Sequence, residues 1–145
     1  MKKQTLRRFT VLSFLLMLTA VTVSAQSERI RVIMPFSFIV GQKALPAGEY
    51  TLEPIKKGSD YVWLVQSRNG HATALFTTRP VRASETQEET RLVFHKYGDQ
   101  YFLSQVWEAG ESAGRALIES NRERSLEREG EKIAMTREKV TLTVR

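Results

Sequence analysis

Hydrophobic and polar residues alternate along the first part of the chain with the two-residue period of a β-strand. Every second position from Ile30 to Val40 is apolar, which places these side chains on one face of an extended segment. Pro35 interrupts the run, and proline within a sheet is confined to edges and bulges because it donates no ladder hydrogen bond. The pattern therefore predicts an edge position or a bulge at Pro35, where a break would leave two short strands.

Leu-Pro-Ala-Gly at 45–48 predicts a turn. Proline presets the φ angle of such a turn, and glycine tolerates the positive φ needed to leave it. Residues 42–44 are expected to cross over from the preceding strand. Alternation over 50–54 predicts the next strand, with Leu45 and Tyr50 both pointing inward.

Asn-Gly at 69–70 predicts a β-hairpin, because both residues tolerate the positive φ of a two-residue turn. With these two residues as the loop, Trp63 lies opposite Phe76 and Val65 lies opposite Ala74. This register places all four side chains on one face, which we expect to be the core face.

Gly-Asp at 98–99 predicts a second hairpin between two aromatic-rich segments. The same reasoning places Phe94 opposite Leu103 and His95 opposite Phe102. Together with the segments predicted elsewhere, the chain is expected to form about six or seven antiparallel strands.

The segments outside the hairpins in the second half of the chain are more polar and more charged than the first half. Residues 82–90 are polar and predict a surface connection, and 109–114 are small and glycine-rich, as in a linker. The charged composition of about 115–129 predicts a helix, with Gly130 as its C-terminal stop. Alternation over about 139–144 predicts a closing strand.

These elements predict a mostly β fold. We expect an antiparallel β-sandwich, with a small β-barrel as the alternative, and one peripheral charged helix near the C-terminus. Local hairpins give no indication of parallel βαβ units.

The first 25 residues have the pattern of a signal peptide. Basic residues at 2–8 precede an apolar run over 9–23, and Ala25 ends a suitable cleavage site. The run is shorter than the ~20 residues of a spanning helix. We therefore expect removal of residues 1–25 after export by the general secretion route, which leaves 26–145 as a single β-rich domain in the periplasm or outside the cell.

Charge and cysteine content exclude several classes of function. The chain has 22 basic and 16 acidic residues, but four of the basic ones lie in the signal segment, so the mature domain has 18 against 16. This balance gives no basic patch for nucleic acid. The chain has no cysteine, which excludes disulfides and a lipid anchor on an N-terminal cysteine.

The titratable residues form no obvious site in the sequence. His71 follows the Asn-Gly turn and is expected to face solvent, and His95 is expected to be a half-buried strand residue. Zinc requires three or four ligands, which two separated histidines do not supply without carboxylates. No glycine-rich phosphate loop is present. We therefore predict no metal and no cofactor.

The sequence also allows a serine-histidine-acid arrangement, which we do not favour. In the predicted register Ser104 is a diagonal neighbour of His95 on the same face of one hairpin. Asp60 and Asp99 lie in turns, where aspartate commonly bonds to the local backbone. Glu88 and Glu89 lie on the polar connection. A catalytic group must be held within hydrogen-bonding reach of its target, and no such trio follows from the sequence.

Six aromatic residues allow a different function, a stacking surface for sugars or peptides. Alternatively, they occupy strand positions where they build the core and its rim, and we favour that interpretation. The six residues are Tyr50, Tyr61, Trp63, Tyr97, Tyr101 and Trp107.

The motifs resemble known sequences. The segment LPAGEYTL resembles a turn-and-strand element of transthyretin-like and immunoglobulin-like sandwich domains. PFSFIVGQKALPAGEYTL together with RLVFHKYGDQYFLSQVW resembles a family of small exported bacterial proteins over most of the mature chain. The resemblance implies export and a β-rich fold, and it implies no activity and no catalytic residue.

The sequence therefore favours an exported, non-enzymatic protein of the cell envelope or extracellular space that acts as a binding or structural module. One alternative is a module that binds glycan or peptidoglycan through exposed aromatics, and a less favoured one is a hydrolase that uses His95. The expected partner is an envelope protein or a glycan.

Overall fold

The computed structural model describes residues 29–56, 58, 61–132 and 137–144, and the expected signal peptide and cleavage site lie outside these residues. The described part contains ten β-strands and one α-helix. In chain order they are β1 (Ile30–Met34), β2 (Phe38–Val40), β3 (Lys43–Leu45), β4 (Gly48–Pro54), β5 (Val62–Ser67), β6 (Thr73–Arg82), β7 (Arg91–Tyr97), β8 (Gln100–Trp107), β9 (Ala113–Leu117), α1 (Asn121–Lys132) and β10 (Glu138–Thr143).

The strands form two layers that share one strand. The first sheet has the antiparallel order β1-β4-β5-β6. The second sheet continues as β6-β9-β8-β7-β10, and the β2–β3 hairpin joins it through a parallel pair between Ile39 and Phe102. Residues 73–77 of β6 pair with β5, and residues 78–82 of the same strand pair with β9.

The hydrophobic core lies between the two sheets. The ring of Phe38 contacts the ring of Tyr50 edge-on at 5.0 Å and the ring of Phe94 at 6.2 Å, which ties side chains of both layers together. The fully buried side chains are Met34, Phe38, Val40, Leu45, Tyr50, Leu52, Trp63, Val65, Leu92, Phe94, Phe102 and Val106. The predicted sandwich-like, mostly β fold is confirmed.

The alternative of a small barrel is not what the structure shows. Within the described ranges β1 pairs with β4 alone and β10 pairs with β7 alone, so the two outer edges are not joined. The sheets therefore close on each other by side-chain packing and not by a continuous ladder.

The predicted turns and registers are confirmed. Trp63 pairs with Phe76 and Val65 with Ala74 in one hairpin, and the Gly98-Asp99 hairpin pairs His95 with Phe102. Pro35 falls between β1 and β2, as its missing amide hydrogen predicts.

The Leu-Pro-Ala-Gly turn is held by both of its flanking hydrophobic residues. Leu45 and Tyr50 are each 1% exposed, and the Tyr50 hydroxyl donates a hydrogen bond of 2.7 Å to the carbonyl of Pro46. The tyrosine thus closes the turn, and its burial raises the pKa of its hydroxyl.

Three expectations are corrected. The crossing segment 42–44 belongs largely to β3, which pairs with β2. The helix begins at Asn121 and not near 115, because Ala116 and Leu117 are buried in β9 beside β6. Gly130 lies inside the helix, which continues to Lys132. The closing strand is confirmed as β10.

The helix packs on the second sheet on the side away from the core. Leu126 contacts a small cluster formed by Ile39, Tyr97 and Phe102. Among the described residues, no helix has the length and apolar character needed to cross a membrane.

Candidate functional site

His95 lies at the centre of a hydrogen-bonded relay on the helix-covered side of the second sheet. Its Nδ1 is 2.7 Å from Oε1 of Glu123, and its Nε2 is 3.0 Å from Oγ of Ser104. Because a carboxylate only accepts hydrogen bonds, Nδ1–H donates to Glu123, and in the neutral ring Nε2 accepts from the Ser104 hydroxyl.

Regular alternation along β8 places the serine. His95 pairs with Phe102, and Ser104 lies two residues farther along β8, so both side chains lie on the same side of the sheet, as the predicted diagonal arrangement required. The register then shifts, because Phe94 pairs with Leu103 and Val93 with Gln105, so Ser104 lies at a bulge without a partner on β7.

The first turn of α1 places the glutamate. The Oγ atom of Ser120 accepts a hydrogen bond of 3.2 Å from the amide of Glu123, which is the serine part of a capping box. In that motif the glutamate would return to the amide of the capping residue, but here its Oε1 contacts His95 instead. The positive end of the helix dipole also favours a carboxylate at this position.

The relay is largely shielded from solvent. The side chains of His95 and Glu123 are 18% and 5% exposed. Nearby, burial raises the pKa of the Tyr97 hydroxyl, and the Arg137 guanidinium partly opposes that rise. The arrangement attaches the N-terminus of α1 to the second sheet, and its atom order also matches a serine nucleophile with its base and orienting acid.

A possible metal-ligand cluster overlaps the relay. One ligand atom from each of His95, Glu119 and Glu123 lies within 4.8 Å of the others. Both ring nitrogens of His95 already have hydrogen-bond partners, and an Arg137 nitrogen lies 3.6 Å from Glu119. Because these contacts already use the ligand atoms, we assign the cluster to the relay and to the attachment of the helix.

The other candidate residues from the sequence are not brought to the relay. His71 is exposed, and Asp99 is exposed in its hairpin turn. Glu88 and Glu89 are exposed on the connection between β6 and β7. Asp60 lies outside the described residues.

The aromatic residues mainly build the protein interior. Trp63, Tyr50, Tyr97 and Trp107 are buried, and Tyr101 stacks on Phe36 with ring centroids 4.1 Å apart. Tyr61 is the exposed member of the six, at 67%. The favoured interpretation, in which these residues build the core and its rim, agrees with this burial, and the alternative stacking surface is reduced to a single exposed tyrosine among these residues.

The first sheet presents an apolar patch on the side away from the core. Leu64 lies opposite Leu75, and the next row joins Val62 to Thr77. The amide of Ile55, just beyond β4, donates to the carbonyl of Val62, and the amide of Ile118, just beyond β9, donates to that of Thr77, which extends this row on both sides of the hairpin. We call this set the apolar patch: Ile55, Val62, Leu64, Leu75 and Ile118.

Four of the five side chains of the apolar patch are exposed, and Leu64 is half-buried. Leu75 is 60% exposed, Ile118 is 59% and Ile55 is 56%. Single exposed aliphatic residues are ordinary, but a contiguous exposed group with a polar rim is typical of an interaction surface. The sequence analysis missed it, although the apolar residues on both faces of β5 were a signal.

The charges around the apolar patch do not balance. Three acids near the patch have an arginine partner among the described residues, Glu53 with Arg29, Glu49 with Arg68 and Glu119 with Arg137. Three exposed cations, by contrast, form no ion pair within the described part of the chain: Arg31, Lys56 and Arg79.

A cavity occupies the other half of the same sheet face. It has a volume of about 590 Å³, and its lining includes Arg31, Thr51 and Gln66, which are cross-strand neighbours on β1, β4 and β5. The sheet face is thus divided into a recessed polar half and an apolar half.

Comparisons with family models, with curated proteins and with solved structures give no match to this chain. The resemblance to small exported bacterial proteins stays a prediction.

Proposed function

We propose that this protein is an exported, non-enzymatic binding module of the cell envelope or extracellular space. The exposed apolar patch on the first sheet carries the proposal, because burial of such a group against a partner is favourable. Export rests on the signal-peptide pattern of residues 1–25.

In this proposal the first sheet provides the binding surface, and the second sheet holds the helix and stabilises the fold. The second sheet already has its outer side in contact with α1 through the relay and Leu126. The apolar patch combines residues of β5 and β6 with Ile55, just beyond β4, and Ile118, just beyond β9, so a partner would meet a broad surface held by ladder hydrogen bonds.

Site-specific photocrosslinking in the cells that naturally produce the protein tests this proposal. A photoreactive phenylalanine at Leu75 is expected to give a covalent adduct with an envelope component. The matched control places the same residue at Lys139 on β10, which is also exposed but lies on the second sheet. Equal adduct patterns from the two positions, or no adduct from Leu75, would contradict a binding role for the first sheet.

The Ser104–His95–Glu123 relay supports a second candidate, a serine hydrolase. A hydrolase of this type needs the serine hydrogen-bonded to the histidine and the histidine hydrogen-bonded to the acid. The observed distances of 3.0 Å (Ser104–His95) and 2.7 Å (His95–Glu123) meet that requirement. However, Ser104 lies within β8, where its neighbours Leu103 and Gln105 pair with adjacent strands. We therefore favour the attachment role for the relay.

A fluorophosphonate probe separates the two roles of the relay. If the relay only attaches the helix, the purified mature protein is expected to show no labelling of Ser104, and His95→Gln is expected to leave crosslinking at Leu75 unchanged. Labelling that is absent in Ser104→Ala, and lost in His95→Gln without a change in melting temperature, would instead establish the hydrolase.

A further inference from the structure

The apolar patch is composed of aliphatic side chains alone. This composition favours a lipid layer over a protein as the partner. Energetically important contacts between proteins are enriched in Trp, Tyr and Arg, with Leu and Val under-represented. The patch has no aromatic member, and its side chains lie on β5 and β6 and just beyond the ends of β4 and β9. Such a surface suits a hydrocarbon layer, which offers no specific pocket.

The charges around the apolar patch indicate the charge of its partner. Glu49, Glu53 and Glu119 each have an arginine partner, and the charged side chains without an ion pair on and beside the described part of this face are cations. Lys56 directly follows Ile55, and Arg79 lies two residues beyond Thr77 on the same side of β6. An anionic surface would meet aliphatic side chains with cations next to them, which is the combination that binds peripheral proteins to membranes.

We propose that the apolar patch, together with Lys56 and Arg79, binds this protein peripherally to an anionic lipid surface. The proposal rests on the binding role of the first sheet and adds the chemistry of the partner. In the bound state the aliphatic side chains enter the boundary between headgroups and acyl chains, and the two cations contact lipid phosphates. Arg31 and the polar cavity lie farther along the sheet and remain hydrated.

Vesicle co-sedimentation with the purified mature protein tests the proposal. We expect binding to vesicles of phosphatidylglycerol and phosphatidylcholine in equal parts, and much weaker binding to phosphatidylcholine alone. Each cation near an anionic surface contributes about a five-fold factor, so Lys56→Gln and Arg79→Gln are each expected to lower the partition coefficient about five-fold. Raising the salt concentration is expected to remove much of the charge contribution.

Two substitutions test the apolar contribution. Leu75→Ser and Ile118→Ser are each expected to lower the partition coefficient about ten-fold, because a largely exposed aliphatic side chain no longer enters the lipid. Lys139→Gln on β10 and Ile33→Ser at the polar end of the same sheet face are the controls, and neither is expected to change binding more than about two-fold. Only variants with the same melting temperature as the unaltered protein are compared.

Each alternative outcome has a definite meaning. If anionic vesicles do not bind, or if the patch variants bind like the unaltered protein, the lipid inference is wrong. If crosslinks from Leu75 lead to an acidic protein or to a second copy of this chain, the lipid inference is wrong while the binding role of the first sheet stands. If neither vesicles nor crosslinks are found, both proposals are wrong.

Discussion

Replacing Trp63 by alanine is expected to lower the free energy of unfolding by about 3–5 kcal/mol. Trp63 is fully buried in β5 and packs against Phe76, with the ring centroids 6.4 Å apart. The Arg115 guanidinium lies 4.6 Å from its ring centroid, so the substitution also removes a cation–π contact. The loss would leave a cavity between the two sheets. Equilibrium denaturation with urea measures the effect.

Two control variants identify the cause of that loss. Trp63→Phe keeps an aromatic ring in place and is expected to cost about half as much. Leu75→Ala, on the exposed side of the adjacent strand, is expected to change stability by less than about 0.5 kcal/mol. A loss below about 1 kcal/mol for Trp63→Ala would mean that this side chain is not part of the core in solution.

Replacing Gly114 by alanine is the second large expected effect, about 1–3 kcal/mol of lost stability. Gly114 on β9 lies directly opposite Trp107 on β8, and the indole ring covers the glycine. An added Cβ would come within 2.6 Å of Cδ2 of Trp107, and ring atoms cannot move aside as a flexible side chain would. Thermal denaturation of a purified chain of residues 26–145 measures the change.

A double-mutant cycle shows whether the indole causes the Gly114 effect. In a Trp107→Leu background, Gly114→Ala is expected to cost much less, because the clash is absent. Ala113→Ser, at the exposed neighbouring position, serves as the control and is expected to be near neutral. Equal costs of Gly114→Ala in both backgrounds would show that the Trp107 indole is not the cause of the loss.

The hairpins were predictable because their signals are local. An Asn-Gly or Gly-Asp pair fixes the turn, and alternation then fixes the register, which is how the Trp63–Phe76 and His95–Phe102 pairs follow from the sequence. By contrast, β9 has the composition Ala-Gly-Arg-Ala-Leu, without β-branched residues. It forms a strand because β6 and β8 pair with it on either side.

The relay was only half predictable. The diagonal placement of Ser104 beside His95 follows from the turn at 98–99, but the third member depends on where α1 docks on the sheet. The spacing of Ser120 and Glu123 is the capping-box signature and would have given the start of the helix. It would not have given the contact with His95, because that contact joins positions 28 residues apart.

The apolar patch could not be located from the sequence because it depends on pairing between distant strands. Leu64 and Leu75 belong to one hairpin, but Ile118 joins them only through the β6–β9 ladder. Apolar residues on both faces of β5 are equally compatible with a strand buried on both sides. The arrangement of the sheets decides which side is left open.

Strand β6 has a consequence for how the molecule unfolds. One half of this strand is hydrogen-bonded within the first sheet and the other half within the second. If one sheet unfolded, β6 would lose the hydrogen-bond partners of one of its halves. The other sheet also contains β6 and would be destabilised with it, so neither sheet is an independent cooperative unit. The slowest-exchanging amide hydrogens of β5 and β9 should therefore report the same opening free energy, that of the global transition.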